Sequence, residues 1–389
     1  MPQALEGSEA VARAVALCRP QVVSAYPITP QTHIVEGISR LVADGQLHCE
    51  YVSVESEFSA ASVALGAAVA GSRAYTASAS QGILLMSEVL YNIAGLRVPL
   101  VMTCANRALS APVSIWNDQQ DAMAVRDAGW VQLFCADIQE AVDTHIQAYR
   151  IAERTEVPVM VCMDGFTLTH TLEPVELPDQ AQVDAFLPPY EFDRELDPGQ
   201  PLSLGTLVSP EFFSEVRHDQ HRATLAVAAE VEAADRDWAA ATGRGYGGLL
   251  EVRGDAGARV GILTLGGVLG TLEDARDEYP DAAAVRLLKL RCLRPFPVAP
   301  LIEACTGLDD LIVLERALSP GGQGIVTAEV QAALFDTMDR PRVHGVAAGL
   351  GGRDMPLSLL PRLLELAGQR PKPFHIIDLI AEHLPEANR

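Results

Sequence analysis

Along the first 163 positions, apolar residues fall into two alternating textures. Short, near-continuous runs rich in Val, Tyr, Phe and Cys occupy 21–25 (QVVSA), 49–54 (CEYVSV), 73–77 (RAYTA), 98–104 (VPLVMTC), 130–135 (WVQLFC) and 157–162 (VPVMVC). Between several of them lie Ala- and Leu-rich stretches of helical length, at 32–44, 57–71, 81–95 and 137–156. A run that is apolar at successive positions suits a strand covered on both faces, and strand–helix alternation suits a doubly wound, mostly parallel sheet. Helix starts are marked as well. SQGILLMSEVL opens with Ser80 and Gly82, and Asp137 stands three residues before Glu140, the spacing of a capping box.

The pattern then changes. Residues 164–205 are rich in Pro and Asp and keep no sustained period, which predicts an extended arm or linker. A long polar helix is expected at about 209–241. A second alternating block opens at 258 with ARVGILTLG and continues through AVRLLKL, DDLIVLER and PRVHGVAAG, with helices between, one of them from about 321, and a last helix near 355–367. The expected organisation is an α/β domain over 1–165, an arm and connecting helix over 166–250, and a smaller α/β domain over 251–389.

Composition narrows the function classes. Of 389 residues, 29 are basic and 51 acidic, a net charge of −22. That balance argues against non-specific binding to nucleic acid or to an anionic membrane, which needs a basic surface. No apolar run reaches the roughly 18–20 residues of a membrane span. No secretory signal is visible at the start, so a cytoplasmic location is expected. The seven cysteines (18, 49, 104, 135, 162, 292 and 305) form no C-x-x-C and lie mostly in apolar runs. They read as reduced, buried thiols, and no iron–sulfur cluster is expected from this chain alone.

Several strand-end loops carry candidate chemistry, because ligands of doubly wound sheets bind beyond the carboxyl ends of strands. In YPITPQT (26–32), prolines 27 and 30 stop both helix and central strand and stiffen a loop bearing Thr29. In VESEFSAASVALGAAVAG, Glu55 and Glu57 precede a helix of small residues that a flat ring can approach closely; the same carboxylates also suit a helix N-terminus electrostatically. TASASQG offers small hydroxyls and free amides at a strand–helix junction, or an ordinary cap. Arg107 follows an apolar strand, where its guanidinium suits a carboxylate or phosphate, or an internal pair with Asp118 or Asp121. The glycine-rich turns ERALSPGGQG and AAGLGGRD allow phosphate binding, close packing of turns or a subunit contact.

Taken in order, YPITPQT, VESEFSAAS, TASASQGILLM, NRALSAPVSIWNDQQD, MDGFTLTH, FLPPY, GRGYGGLLE and GLGGRD resemble the α subunit of pyruvate:ferredoxin oxidoreductase and its 2-oxoacid:acceptor oxidoreductase relatives, which depend on thiamine diphosphate. The resemblance spans nearly the whole chain. It implies a pyrimidine-binding α/β domain followed by a domain like the C-terminal domain of transketolases. It puts on Glu57, rather than Glu55, the contact to N1′ of the aminopyrimidine, with further cofactor contacts at Pro27, Ser80 and Gln81. It sets Thr29 against the substrate carboxylate and makes Arg107 the positive partner of that carboxylate. The implied reaction is oxidative decarboxylation of a 2-oxoacid, pyruvate by default, to acyl-CoA and CO2.

A complete thiamine diphosphate site also needs a Gly-Asp-Gly motif followed by Asn, which together hold the metal and the diphosphate. Here GDAG at 254–257 is a poor match, and no Asn occurs between Asn117 and Asn388. The expectation is therefore no metal ligand in this chain, with Mg2+ and diphosphate held by a β subunit. Iron–sulfur clusters are expected in other subunits (γ and δ types), and ferredoxin or an NAD-linked flavoprotein as acceptor. Other readings of the same residues are a branched-chain or aryl 2-oxoacid such as phenylglyoxylate, a non-catalytic scaffold, and a non-oxidative thiamine enzyme.

Overall fold

The computed structural model describes residues 2–255, 257–282 and 284–388. In chain order the first block supplies strands β1 (Gln3–Glu6), β2 (Val22–Ala25), β3 (Glu50–Ser53), β4 (Ala74–Ser78), β5 (Val101–Asn106), β6 (Val131–Phe134), β7 (Val159–Asp164) and β8 (Leu172–Val175). The second supplies β9 (Leu250–Gly254), β10 (Val260–Thr264), β11 (Arg286–Leu290), β12 (Cys292–Arg294), β13 (Asp310–Glu315), β14 (Arg342–Ala347) and β15 (His375–Ile376). Strands β4, β5, β6 and β7 are buried at every position, as their unbroken apolar runs require.

One sheet has the order β12-β6-β7-β5-β4-β2-β3 and is parallel except where β12 pairs antiparallel to β6. The other runs β15-β14-β13-β10-β11-β9, parallel except at β9. Both are covered by helices, so the class is α/β, as the alternation predicts. In the first sheet β3 lies on one side of β2, and the chain then crosses to β4 on the other side. That reversal between β2 and β4 opens a crevice at the carboxyl ends of the strands.

Three features depart from the sequence expectation. Part of the presumed arm is structured: β8 pairs antiparallel with β1, Glu6 opposite Leu172, and Asp179 caps a short helix, Gln180–Phe186, with a full capping box. The single helix expected at 81–95 is two, Ser80–Leu85 and Ser87–Gly95, meeting at Met86. Strand β12 leaves the second block to complete the edge of the first sheet. Asp137 does cap its helix by accepting from Glu140 N, but the Glu140 carboxylate turns to Ala136 N and to Lys289.

Burial welds the two sheets together. One apolar cluster runs from Ala61, Ile83 and Met102 through Phe134 to Leu263, Leu290 and Val313. Beside it, Lys289 reaches Glu140 (2.9 Å) and Glu251 (2.7 Å), and Arg291 reaches Glu140 at 3.2 Å. Lys289, Arg291 and Glu140 are fully buried, where only mutual pairing makes such charges tolerable. No helix among the described residues is long and apolar enough to cross a membrane.

Candidate active site

The crevice is built from the loops that follow β2, β3, β4 and β5. After β2, the YPITPQ segment is pinned by Gln31, whose Nε2 donates to the Ala77 carbonyl on β4 (2.9 Å) and whose Oε1 accepts from Ile28 N (3.3 Å). Pro27 and Thr29 are thereby left at the surface, while Pro30 is buried.

After β3, Ser56 caps the helix Glu57–Val69 by accepting from Ser59 N (3.2 Å). The two glutamates now part company. Glu55 is exposed and accepts from the Ser59 hydroxyl, which lowers its pKa. Glu57 is only 6% exposed, and among the described residues nothing hydrogen-bonds to its carboxylate. Its neighbour across the crevice is Gly82 in the Ser80–Leu85 helix. A Cβ at position 82 would lie 2.7 Å from Glu57 Oε1 and 2.3 Å from Ser78 Oγ, so the glycine is required by close approach. Ser78 Oγ and Gln81 Nε2 are also buried without a partner among the described residues. A carboxylate and a hydroxyl thus lie together against Gly82 with open hydrogen-bonding capacity, and the amide of the preceding residue, Gln81, has open capacity too. Native proteins rarely leave such groups unsatisfied without a ligand or water to meet them.

Ser80 itself is occupied. Its N–H donates to Asp121 Oδ2 (2.8 Å), its hydroxyl lies against the Ala108 carbonyl and Gln81 Oε1, and its φ of 51° is left-handed. The free amide expected at this junction is therefore absent at Ser80; the residue shapes the turn that presents Gln81.

After β5, Arg107 is held by backbone. Its Nε donates to the Ser114 carbonyl (2.8 Å) and its Nη1 to the Thr29 carbonyl (3.0 Å). No carboxylate pairs with it among the described residues, and partial burial lowers its pKa. The internal pair that sequence left open does not form. Asp121 instead accepts the backbone N–H groups of Arg107 (2.9 Å), Ser80 and Ala122 and the amide of Asn106. Burial raises the Asp121 pKa, and those four hydrogen bonds hold the rise in check. Asp118 accepts from Gln120 N and Gly351 N, and burial raises its pKa to about 6. The site thus brings Thr29 and Arg107 together on one loop pair, and Glu57 with Ser78 and Gly82 on another, with Gln81 next to Gly82 in the chain.

From the sequence Asp121 is open only as a pair for Arg107, because acceptor contacts to Ser80, Asn106 and Arg107, 14 to 41 residues away, leave no periodic trace. The glycine-rich turns also resolve. Glu315 accepts from the amides of Ile325, Val326 and Thr327 at the start of helix Val326–Leu334, filling the place a phosphate would take. Gln120 exchanges hydrogen bonds with Leu318, and Gly352 (φ 79°) sits where a Cβ would come within 2.4 Å of Trp116 Cβ. Both turns brace the loop that carries Ser114 and Trp116. In GDAG, Gly254 is the last residue of edge strand β9 and Gly257 N donates to Asp255 (2.8 Å); Ala256 lies outside the described residues.

The family model described as pyruvate flavodoxin/ferredoxin oxidoreductase, thiamine diphosphate-binding, matches residues 13–236. The chain belongs to that family. A second model, pyruvate:ferredoxin oxidoreductase core domain II, matches residues 258–359. Among relatives, pyruvate synthase subunit PorA of Methanosarcina barkeri is 44% identical over 366 residues, covering 93% of this chain and 91% of its own. The PorA subunit of Pyrococcus abyssi is 41% identical over 390 residues, with 98% of each chain covered. Ketoisovalerate oxidoreductase subunit VorA of Pyrococcus horikoshii is 37% identical over 352 residues, covering 90% and 89%. A solved 2-oxoglutarate:ferredoxin oxidoreductase from Magnetococcus marinus superposes with a TM-score of 0.69 at 20% identity. The match covers 94% of this chain and 65% of that one, and at this identity it shows the shared fold. The resemblance read from the sequence motifs is therefore to the family the chain belongs to.

Proposed function

We propose that this chain is the α subunit of a thiamine diphosphate-dependent 2-oxoacid:acceptor oxidoreductase that converts a 2-oxoacid, pyruvate by default, and coenzyme A to acyl-CoA and CO2. The observation that carries the reading is the buried Glu57 carboxylate, without a protein partner among the described residues, beside the unpartnered Ser78 hydroxyl and against the helix that carries the unpartnered Gln81 amide. These groups fit an aminopyrimidine ring, which offers both hydrogen-bond donors and acceptors at its edge. When bound, thiamine diphosphate supplies the carbon nucleophile and the electron sink for decarboxylation.

The rest falls to the chain's own residues. Glu57 holds a proton against N1′ of the ring. Gln81 supports the ring edge, and Ser80 fixes Gln81. Pro27 walls the loop and limits its freedom, so that the Thr29 hydroxyl is presented at little entropic cost. Arg107, aimed by two carbonyls, orients the substrate carboxylate.

We assign Mg2+ and the diphosphate to a β subunit, iron–sulfur clusters to γ- and δ-type subunits, and electron acceptance to ferredoxin or an NAD-linked flavoprotein. The support is that GDAG is a poor match to Gly-Asp-Gly, its first glycine ending an edge strand, and that all seven cysteines are unpaired, six of them buried. Exposed apolar residues on the site's own loops and helices, among them Tyr26, Phe58, Leu84, Leu85 and Trp116, suit a seat for that β subunit. The division into 1–165, 166–250 and 251–389 is proposed with it, crossed by strand β12, and a cytoplasmic location is kept. The VorA similarity makes a branched-chain 2-oxoacid the second reading.

The test is the purified native complex assayed on a panel of 2-oxoacids with an artificial acceptor. Pyruvate is expected to give the highest kcat/KM. In the same complex Arg107→Ala is expected to cut kcat/KM for the preferred acid by about 10²-fold or more, the scale of removing one partner of a desolvated charge pair. Unchanged kcat and KM in that variant would remove Arg107 from the reading.

A further inference from the structure

Beside the proposed substrate loop stands a cluster that the reaction does not use. Glu6, His33 and His170 each place one potential ligand atom within 4.8 Å of the other two. We propose that these three residues form a site for a divalent transition metal of the zinc class.

Three separate segments are held in place to make the cluster. Glu6 ends β1, which is paired to β8, and Gly7 follows it against the Leu168 carbonyl, where any Cβ would fall 1.7 Å from that oxygen. Ser8 then ties to the same turn, its N–H and hydroxyl both donating to the Thr169 carbonyl (2.9 and 2.8 Å). His33 lies in the first turn of the helix Thr32–Ala43, directly after the Thr29 loop. His170 closes the turn that begins at Gly165, in which Phe166 adopts a left-handed φ of 59°.

The His170 ring is oriented in advance. Its Nδ1 lies 2.7 Å from Thr169 Oγ1, which already accepts from Phe166 N (2.7 Å), and Phe166 packs on the ring at 4.8 Å. With Nδ1–H donated to that hydroxyl, Nε2 keeps its lone pair for a metal, the usual arrangement around a ligating imidazole. His33 packs against His170 with ring centroids 4.5 Å apart, and its Nδ1 lies 2.7 Å from Glu6 Oε1. Ligands that share a tetrahedral zinc are about 3.3 Å apart. Reaching that spacing requires the partly exposed Glu6 and His33 side chains to turn about the oriented His170 ring.

Two imidazoles and one carboxylate favour zinc, cobalt, nickel or copper over magnesium or calcium, which take oxygen ligands. The site is therefore distinct from the Mg2+ assigned to a β subunit, and it departs from the sequence expectation that this chain supplies no metal ligand. A bound ion would clip the N-terminal strand, the helix behind Thr29 and the 165–170 turn into one unit.

The test is Co2+ added alone to the full chain after chelator treatment and desalting, followed by visible absorption and equilibrium dialysis. One equivalent is expected to bind with the bands of low-coordinate cobalt and to be displaced by Zn2+. His33→Ala and His170→Ala are each expected to weaken binding by at least the about 10–100-fold that loss of an outer partner costs. His33 is half exposed, so its removal leaves the fold intact, checked by an unchanged melting curve. No cobalt bands, or an affinity unchanged in His33→Ala, would overturn the proposal.

Discussion

At the scale of single residues, Glu57 and Glu55 show how much two positions matter. Spacing alone left both as candidates, since each precedes the same helix. Burial separates them, because the Ser56 cap turns Glu57 inward toward Gly82 and leaves Glu55 in water with Ser59. The partner that makes the inward position possible is a hydrogen atom: Gly82 has no Cβ. Gly82→Ala would drive a methyl to within 2.7 Å of Glu57 Oε1 and force the carboxylate aside. A displacement near 1 Å costs on the order of 10²-fold in rate. The expected result is a kcat lowered by that order in the assembled enzyme with its cofactor content retained, measured by steady-state kinetics and thiamine analysis.

At the scale of elements, the central strands were legible because both faces are buried. The runs at 73–77, 98–104, 130–135 and 157–162 contain or overlap β4 to β7, and their shortness and β-branched and aromatic content set them apart from buried helix. The missed elements lack that signal. Only one of the four residues of β1 is buried, only one of β8 is, and β8 contains Pro174. Strand β12 is three residues long and finds its partner β6 far back in the sequence, which no local window can report. The site was legible as residue types on strand-end loops. Asp121, which holds two of those loops by accepting hydrogen bonds, was read only as a possible pair for Arg107.

The second sheet has its own anchor of this kind. Burial pushes the Asp310 carboxyl up, but hydrogen bonds from Arg342 (2.7 and 2.8 Å), His344 (2.8 Å) and Gly368 N (3.0 Å) outweigh it and hold the group at about 2. A carboxyl depressed in the folded state stabilises the fold above its ordinary value of about 4, and that contribution is lost as pH falls through the folded value. Denaturant titrations are expected to show stability falling between about pH 4 and pH 2. Asp310→Asn should be less stable than wild type at pH 7 and should show a shallower loss across that window. An identical slope in the variant would assign the acid transition to other groups.

At the scale of the whole molecule, the second domain acts as a brace. Arg316 pairs with Asp164 at 2.9 Å across the domains, Gly267 N donates to the same carboxylate, and the 318 and 349–352 turns grip the loop that aims Arg107. What remains uncovered is the apolar rim around Glu57. Leu85 is 52% exposed at the end of the helix that carries Gln81. Leu85→Glu is expected to leave the melting temperature of the isolated chain unchanged while abolishing co-purification with the β subunit. Retained assembly at wild-type affinity would place that subunit on another face.

On the proposed function, Glu57 shares a proton with the cofactor's ring. It is tested most directly by exchange of the thiamine C2 proton with deuterium in the assembled enzyme, followed by quenching and NMR, for wild type and Glu57→Gln. Exchange is expected to slow by about 10²-fold or more in the variant, the range of general acid–base catalysis, at equal thiamine diphosphate occupancy. Exchange at the wild-type rate in Glu57→Gln would contradict it.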